Sequence, residues 1–302
     1  MTKPLILVTG ATGKTGAPVV EQMLDRGYNV RALVHRLDER SARLAGLGAE
    51  IEPGDILDLQ TVRAVMQGVG RVYFCFTPHS EHLLKATANI AIAGRDEGIE
   101  ALVNMSQISA REQADSPLAF QHWQAEQILD WAGIGASHIR PTFFAEDLYL
   151  FTGKSIPEEG KIYLPFGTGK HAPVAAADIA AVVCGILDDP EPHVGQRYVV
   201  TGPKDMNVTE MADVLSDELA SPVTYVDLPV EQWRTALVER AGMPEFLATH
   251  LAAVALDHQD GVFSAQTDIV ERIGGRAPQS LAEFIRTHIS EFSRGRASAR
   301  AA

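Results

Sequence analysis

Three glycines spaced three residues apart, Gly10, Gly13 and Gly16, separate an apolar run, Leu5 to Thr9, from a stretch whose apolar residues Val19, Val20, Met23 and Leu24 have helical spacing. A strand that turns into a helix through such glycines can receive a pyrophosphate, because the first turn of the helix has unpaired N–H donors and the positive end of the helix dipole. Gly10 suits the tight turn, Gly13 the approach of backbone to phosphate, and Gly16 close packing of helix on strand. The spacing is Gly-x-x-Gly-x-x-Gly rather than Gly-x-Gly-x-x-Gly, so the strand, helix and following strand carry the reading as much as the glycines do. Gly10, Thr12, Gly13, Lys14, Thr15 and Gly16 are therefore expected to hold a dinucleotide. Lys14 does not read as a phosphate-loop lysine, since the longer glycine loop ending in Gly-Lys-Ser/Thr is missing.

The end of the second strand bears on which nicotinamide cofactor is held. An NAD site places a carboxylate on the ribose 2′-hydroxyl, whereas a 2′-phosphate calls for cations. Val30 to Val34 runs into His35-Arg36, and a guanidinium that is always charged and can grip phosphate oxygens in pairs favours NADP(H) over NAD(H). The alternative is that Arg36 is a solvated loop charge and Asp38 takes the ribose. Asp55 and Ile56, after the third strand, fall where adenine would lie, and Phe76, Thr77 and Pro78, closing the fourth, fall towards the nicotinamide, with His79 next to a substrate.

The elements that must position these residues alternate along the first half. Strand-like runs at Leu5 to Thr9, Asn29 to Val34, Glu50 to Pro53, Val69 to Phe76, Ala101 to Met105 and Ala136 to Ile139 are separated by amphipathic stretches at Gly13 to Arg26, Leu57 to Met66, Glu81 to Glu97 and Ala119 to Ala132. That alternation predicts an α/β fold with a doubly wound parallel sheet of the Rossmann type. After Pro141 short strands (Lys161 to Leu164, Arg197 to Thr201, Val223 to Asp227) lie among helical segments at Pro229 to Ala241 and Leu281 to Phe292, with a capping signal at Asn207 to Glu210. The expected organisation is a dinucleotide-binding domain over 1–150, with 170–202 returning to it, a smaller, mostly helical substrate lobe over 151–292, and a disordered tail over 293–302.

With 39 acidic and 26 basic residues the net charge is -13, which disfavours nucleic acid and anionic membranes as partners. Cys75 and Cys184 sit in apolar runs without metal or redox spacing, and His79, His82, His138, His171 and His193 show no spacing for a metal, so none is expected. No leader or membrane-length apolar stretch is seen, and a cytoplasmic location follows as the expectation.

Val8 to Gly16, Val30 to Val34 with a basic residue after it, Gly54-Asp55-Ile56-Leu57-Asp58, Ile139-Arg140-Pro141 with Phe143-Phe144, Tyr198 to Pro203, and Gly274 to Phe284 together resemble the NmrA-like branch of the atypical short-chain dehydrogenase/reductase superfamily, over essentially the whole chain. Members of that branch include NAD(P)H:quinone oxidoreductases, ergot-alkaloid-type reductases, and redox-sensing regulators that bind cofactor without evident turnover. Typical superfamily enzymes carry Tyr-x-x-x-Lys on the fifth helix. The corresponding frame here is Leu118-Ala119-Phe120-Gln121-His122, taking Glu126 as the acidic residue one turn on. Ser106 matches the position from which other members present a serine to substrate, with Ser109 as a competitor. His122 is the candidate catalytic residue, as a group that titrates near neutrality, against a packing or ribose-binding role. Phe143, Phe144 and Tyr149 follow the sixth strand and are candidates for an apolar substrate wall, against simple core; Trp123 and Trp233 read as packing residues. The resemblance implies an NADPH-dependent reductase of a small apolar electrophile such as a quinone, enone or imine, with a homodimer as a candidate assembly; the alternative is an NADP(H)-sensing regulator with a protein partner.

Overall fold

The computed structural model describes residues 3–76 and 82–293. The chain forms two compact units, the first made of 3–141, 176–200 and 269–276, the second of 142–175, 201–268 and 277 onward.

In the first unit, numbering along the chain, the elements are β1 (Leu5–Val8), α1 (Gly16–Asp25), β2 (Val30–Val34), α2 (Glu39–Gly46), β3 (Glu50–Pro53), α3 (Leu59–Met66), β4 (Val69–Phe74), α4 (Leu83–Glu97), β5 (Ala101–Met105), α5 (Pro117–Ala132), β6 (Ala136–Pro141), α8 (Ala176–Asp188), β9 (Arg197–Val200) and α12 (Ile269–Arg272). The strands make one seven-stranded parallel sheet in the order β3-β2-β1-β4-β5-β6-β9. Ile6, Leu7, Val8, Val72, Tyr73, Phe74, Leu102 and Val103 are all buried, as parallel strands covered on both faces must be. The doubly wound sheet expected from the alternation is present. Its seventh strand, β9, reaches the sheet from beyond the second unit's first segment, pairing with β6 from His138↔Arg197 to Pro141↔Val200. The first unit is left at Pro141, nine residues before the expected boundary at 150, and is re-entered at Ala176 and again at Ile269. Helix α2 has no counterpart among the expected helices: Leu44 is its one large apolar residue, and it is set by its start, where the Asp38 carboxylate accepts from Arg40 N and Ser41 N.

The second unit holds α6 (Asp147–Thr152), α7 (Ser155–Glu159), β7 (Lys161–Leu164), β8 (Lys170–His171), β10 (Met206–Asn207), α9 (Val208–Leu219), β11 (Thr224–Asp227), α10 (Val230–Glu239), α11 (Glu245–Gln259), α13 (Leu281–Thr287) and α14 (Ile289–Phe292). Two ribbons, β7 parallel to β11 and β8 antiparallel to β10, are embedded among these helices. The capping box at Asn207 and Glu210 is formed. The segment 281–292, expected as one helix, breaks at His288, where φ is -117° and ψ is 25°. Of the expected tail, 294–302 lies outside the described residues.

Candidate dinucleotide site and its surroundings

The strand order reverses between β1 and β4, and the crevice at the carboxyl ends of such a pair is where open α/β sheets bind ligands. Gly10 leaves β1 with φ +58°, and a Cβ there would lie 2.8 Å from the Cys75 carbonyl oxygen at the end of β4. A Cβ on Gly13 would meet the Gly10 carbonyl oxygen at 3.0 Å, and one on Gly16 would meet it at 2.1 Å. The three glycines are thus positions at which the turn admits no side chain. The turn is pinned from below: Thr9 Oγ1 donates to Cys75 O and accepts from Cys75 N, both at 2.9 Å. The Thr15 hydroxyl accepts from the buried Tyr73 hydroxyl at 2.8 Å, so this side chain anchors the turn to β4 and makes no cap for α1. Gly10, Gly13 and Lys14 are exposed, Thr12 partly so, and the first turn of α1 has no side-chain cap. A cradle from which side chains are excluded, beside uncapped helix N–H groups, fits a pyrophosphate.

At the end of β2, His35 and Arg36 are both exposed. Asp38, the alternative ribose acceptor, has its carboxylate committed to the start of α2 and to Arg40 Nη2 at 2.6 Å, and the hydrogen bonds from Arg40 and Ser41 hold its pKa below the ordinary value. After β3, Asp55 is exposed and accepts from Leu57 N at 2.9 Å, while the Ile56 carbonyl accepts from Asn89 Nδ2 at 3.0 Å. Phe76 is half-buried against the core of α3, α4 and β4. Thr77, Pro78 and His79 lie outside the described residues.

The loop after β5 and the helix α5 hold the catalytic candidates. Ser106 donates to Glu126 Oε1 at 2.6 Å; its hydroxyl is engaged with a buried carboxylate and not presented for substrate. Glu126 is fully buried and also accepts from Arg140 Nε at 2.8 Å, Arg140 Nη2 at 2.6 Å and Arg197 Nε at 2.9 Å. Burial pushes its pKa up, but the Arg140 and Ser106 hydrogen bonds outweigh that and hold it below the usual carboxylate value. Asp130, one turn on, pairs with Arg197 and with His138 Nε2, whose Nδ1 faces the Asn104 amide nitrogen at 3.1 Å. Ser109 is the other kind of serine, fully buried with no hydrogen-bond partner for Oγ. His122 is half-buried with Nδ1 shielded and unpartnered; burial drives its pKa down to about 4, against a smaller upward pull from Glu126. It is neutral at pH 7, which removes the imidazolium donor that titration near neutrality would have supplied.

In the second unit the three aromatic candidates separate. Phe143, 4% exposed, is core, with ring contacts to Phe151, Phe166, His171 and His258. Tyr149 stacks on Phe284 and His288 and meets Phe292 edge-on, which makes it a packing residue of the C-terminal helices. Phe144 is half-exposed and joins Val174 in an isolated bridge. Trp233 is core, and Trp123 stacks on Phe120.

Residues 2–292 match the model of the NmrA-like family. The chain belongs to that family. Among the relatives of this NmrA-like chain is an NAD(P)H azoreductase from Xenophilus azovorans, 33% identical over 295 residues, covering 95% of this chain and 99% of the relative. The crystal structure of the NADPH-dependent quinone oxidoreductase QOR2 from Escherichia coli, complexed with NADPH, has a TM-score of 0.84 at 25% identity, covering 94% of this chain and 99% of the other. NmrA, a negative transcriptional regulator solved with NADP, has a TM-score of 0.82 at 17% identity, covering 96% and 97%, and shares the fold.

In this NmrA-like chain the buried ion network around Glu126 is the feature that motif reading passed over. Its signal is present: His138 and Arg140 alternate onto one face of β6, and Glu126 and Asp130 are four apart on α5. What joins them is the strand pairing of β5, β6 and β9, which no local pattern specifies. Among the described residues no group of three or more His, Cys, Asp or Glu is placed to hold a metal, and no helix is long and apolar enough to cross a membrane.

Proposed function

We propose that this NmrA-like protein is an NADPH-dependent reductase of small, flat, apolar electrophiles such as quinones, enones or imines. The observation that carries the reading is the turn after β1, where three successive glycines exclude side chains beside an uncapped helix N-terminus. Bound nicotinamide would supply the hydride, chemistry for which the protein has no group of its own. The backbone from Gly10 to Gly16, with Thr12 and Lys14, holds the pyrophosphate; Asp55 and Ile56 border the adenine; Phe76, Thr77 and Pro78 border the nicotinamide half. Arg36, with His35, takes the 2′-phosphate, and the capping role of Asp38 supports NADP(H) over NAD(H), because its carboxylate is already filled by N–H donors. His122 serves as a neutral hydrogen-bonding group to ribose or acceptor. Phe144, half-exposed, is the aromatic candidate for the acceptor, whereas Phe143 and Tyr149 are packed among other rings. The names of the azoreductase and the quinone oxidoreductase fit acceptors that take hydride into a flat conjugated system.

The test is purified protein with NADPH and a panel of quinones, enones, imines and azo compounds, followed at the absorbance of reduced nicotinamide. Consumption with at least one class is expected; cofactor binding with no acceptor turned over sinks the proposal. A second reading, an NADP(H)-sensing regulator, is favoured by one feature: Leu118, in the frame of the absent tyrosine, is buried in the core, and His122 is neutral, so no charged proton donor stands on this helix face. That reading requires unequal affinities for NADP and NADPH, and equal values by calorimetry count against it.

A further inference from the structure

Two buried histidines in the second unit have no part in the proposed reaction. His258, at the end of α11, is stacked between Phe166 (centroids 3.9 Å apart, 13° between planes) and Phe263 (3.7 Å, 17°). His171, on β8, meets His258 edge-on at 4.7 Å and the Phe143 ring at 4.7 Å. Both are essentially inaccessible, at 0% and 1% exposure. Three of their four ring nitrogens, His171 Nδ1 and Nε2 and His258 Nδ1, have no hydrogen-bond partner. The neutral rings already leave polar atoms unmatched, which costs stability. An imidazolium in the same place would be far less favourable, being a cation among aromatic carbons beside a second imidazole.

Among the described residues no carboxylate is hydrogen-bonded to His171 Nδ1, His171 Nε2 or His258 Nδ1. Ionisable neighbours are Lys170 on β8, Asp205 before β10, Glu210 on α9, His250, Asp257 and Asp260 on or after α11, and Glu146 and Asp147 following Phe143; the loop 165–169 has none. Neither ring is shifted by any of these, and the single electrostatic influence on His258 is His171, which lowers it further.

We propose that the His171–His258 pair is an acid-operated latch, which keeps the second unit packed while both rings are neutral and releases it when the pair takes up protons. Burial drives the pKa of His171 down to about 3 and that of His258 well below its ordinary value. For a base whose folded pKa is depressed, the unfolded chain binds more protons below about pH 6.5; the contribution to stability is complete above that pH and is lost as pH falls towards the folded value. Two such rings raise the unfolding equilibrium constant about a hundredfold per pH unit through the range from about 6 to 4.5.

The test is urea unfolding of the full chain at pH 8 to 4.5, with hydrogen exchange in 165–172 and 256–263 as the local readout. The unmodified chain should take up two more protons on unfolding below pH 6 than the His171→Phe/His258→Phe variant, and exchange in both segments should accelerate in step; equal uptake overturns the proposal. Should the double variant fail to fold, imidazole nitrogen spectra of the unmodified chain, assigned through His171→Asn and His258→Asn separately, decide it. Both rings remaining neutral to pH 5 in folded protein supports the latch, and either titrating near pH 6.5 overturns it.

Discussion

At Gly16 an added methyl would lie 2.1 Å from the Gly10 carbonyl oxygen, a backbone atom that cannot yield without moving the turn. Gly16→Ala is expected to weaken NADP(H) binding by more than about tenfold by calorimetry, since displaced N–H donors lose their aim at the phosphates; unchanged affinity would separate the turn from the cofactor. On the proposed reading of Arg36 as the 2′-phosphate ligand, Arg36→Ala would remove a charge-assisted contact worth about 1.5–3 kcal/mol, so NADPH should bind roughly 10- to 100-fold more weakly with NADH little affected. A parallel fall in both affinities would show that Arg36 does not read the 2′-phosphate. His122, with its pKa near 4, stays neutral from pH 5.5 to 8, so it should contribute no inflection to kcat/KM in that range. A step near pH 6.5 that disappears in His122→Gln would contradict this. At this scale the glycines, Arg36 and His122 were legible as residue types. The commitments of Ser106 to Glu126 and of Asp38 to α2 were not, because a hydroxyl or carboxylate in a sequence does not say which donor or acceptor the fold brings to it.

The element that depends most on buried charge is α5. Its Glu126 meets two arginines from β6 and β9, and its Asp130 meets one of them together with His138, tying the helix to two adjacent strands with two carboxylates against two guanidiniums. Glu126→Ala leaves Arg140 without its buried partner, and an expected loss of about 3–5 kcal/mol in urea-unfolding stability follows. Because the folded pKa of Glu126 lies below its ordinary value, its contribution is present above about pH 4.5 and is lost as pH falls through the lower folded value. If the variant loses less than 1 kcal/mol, then the network is not what holds the helix. Periodicity located α5 and the strands to within a few residues. It missed α11 altogether, whose buried positions, Ala248, His250, Ala252, Ala255, Asp257 and His258, include too many small and polar residues to show one apolar stripe.

For the whole molecule, cofactor binding to the folded chain alone should raise its stability by about 2.7 kcal/mol at a hundred times Kd, which for a chain of this size is a thermal shift of several degrees. NADPH is expected to shift Tm more than NADH at equal concentration. The reverse order would move the cofactor preference back to NAD(H). The acid dependence separates the two buried systems in this molecule: the histidine pair responds below about pH 6.5 and the Glu126 network below about pH 4.5.

The sequence by itself determined the doubly wound sheet, the cofactor turn and the family, because each rests on local order: alternating runs, a glycine triplet between strand and helix, and caps such as Asn207 with Glu210. The tertiary structure alone decided that 269–276 rejoins the first unit, that Phe143 and Tyr149 are packing residues, and that His171 and His258 share an apolar core. Those outcomes depend on residues distant in the chain being packed together, as His171 is with His258 and Tyr149 with Phe292, and burial of that kind is a property of the assembled core that spacing along the chain does not encode.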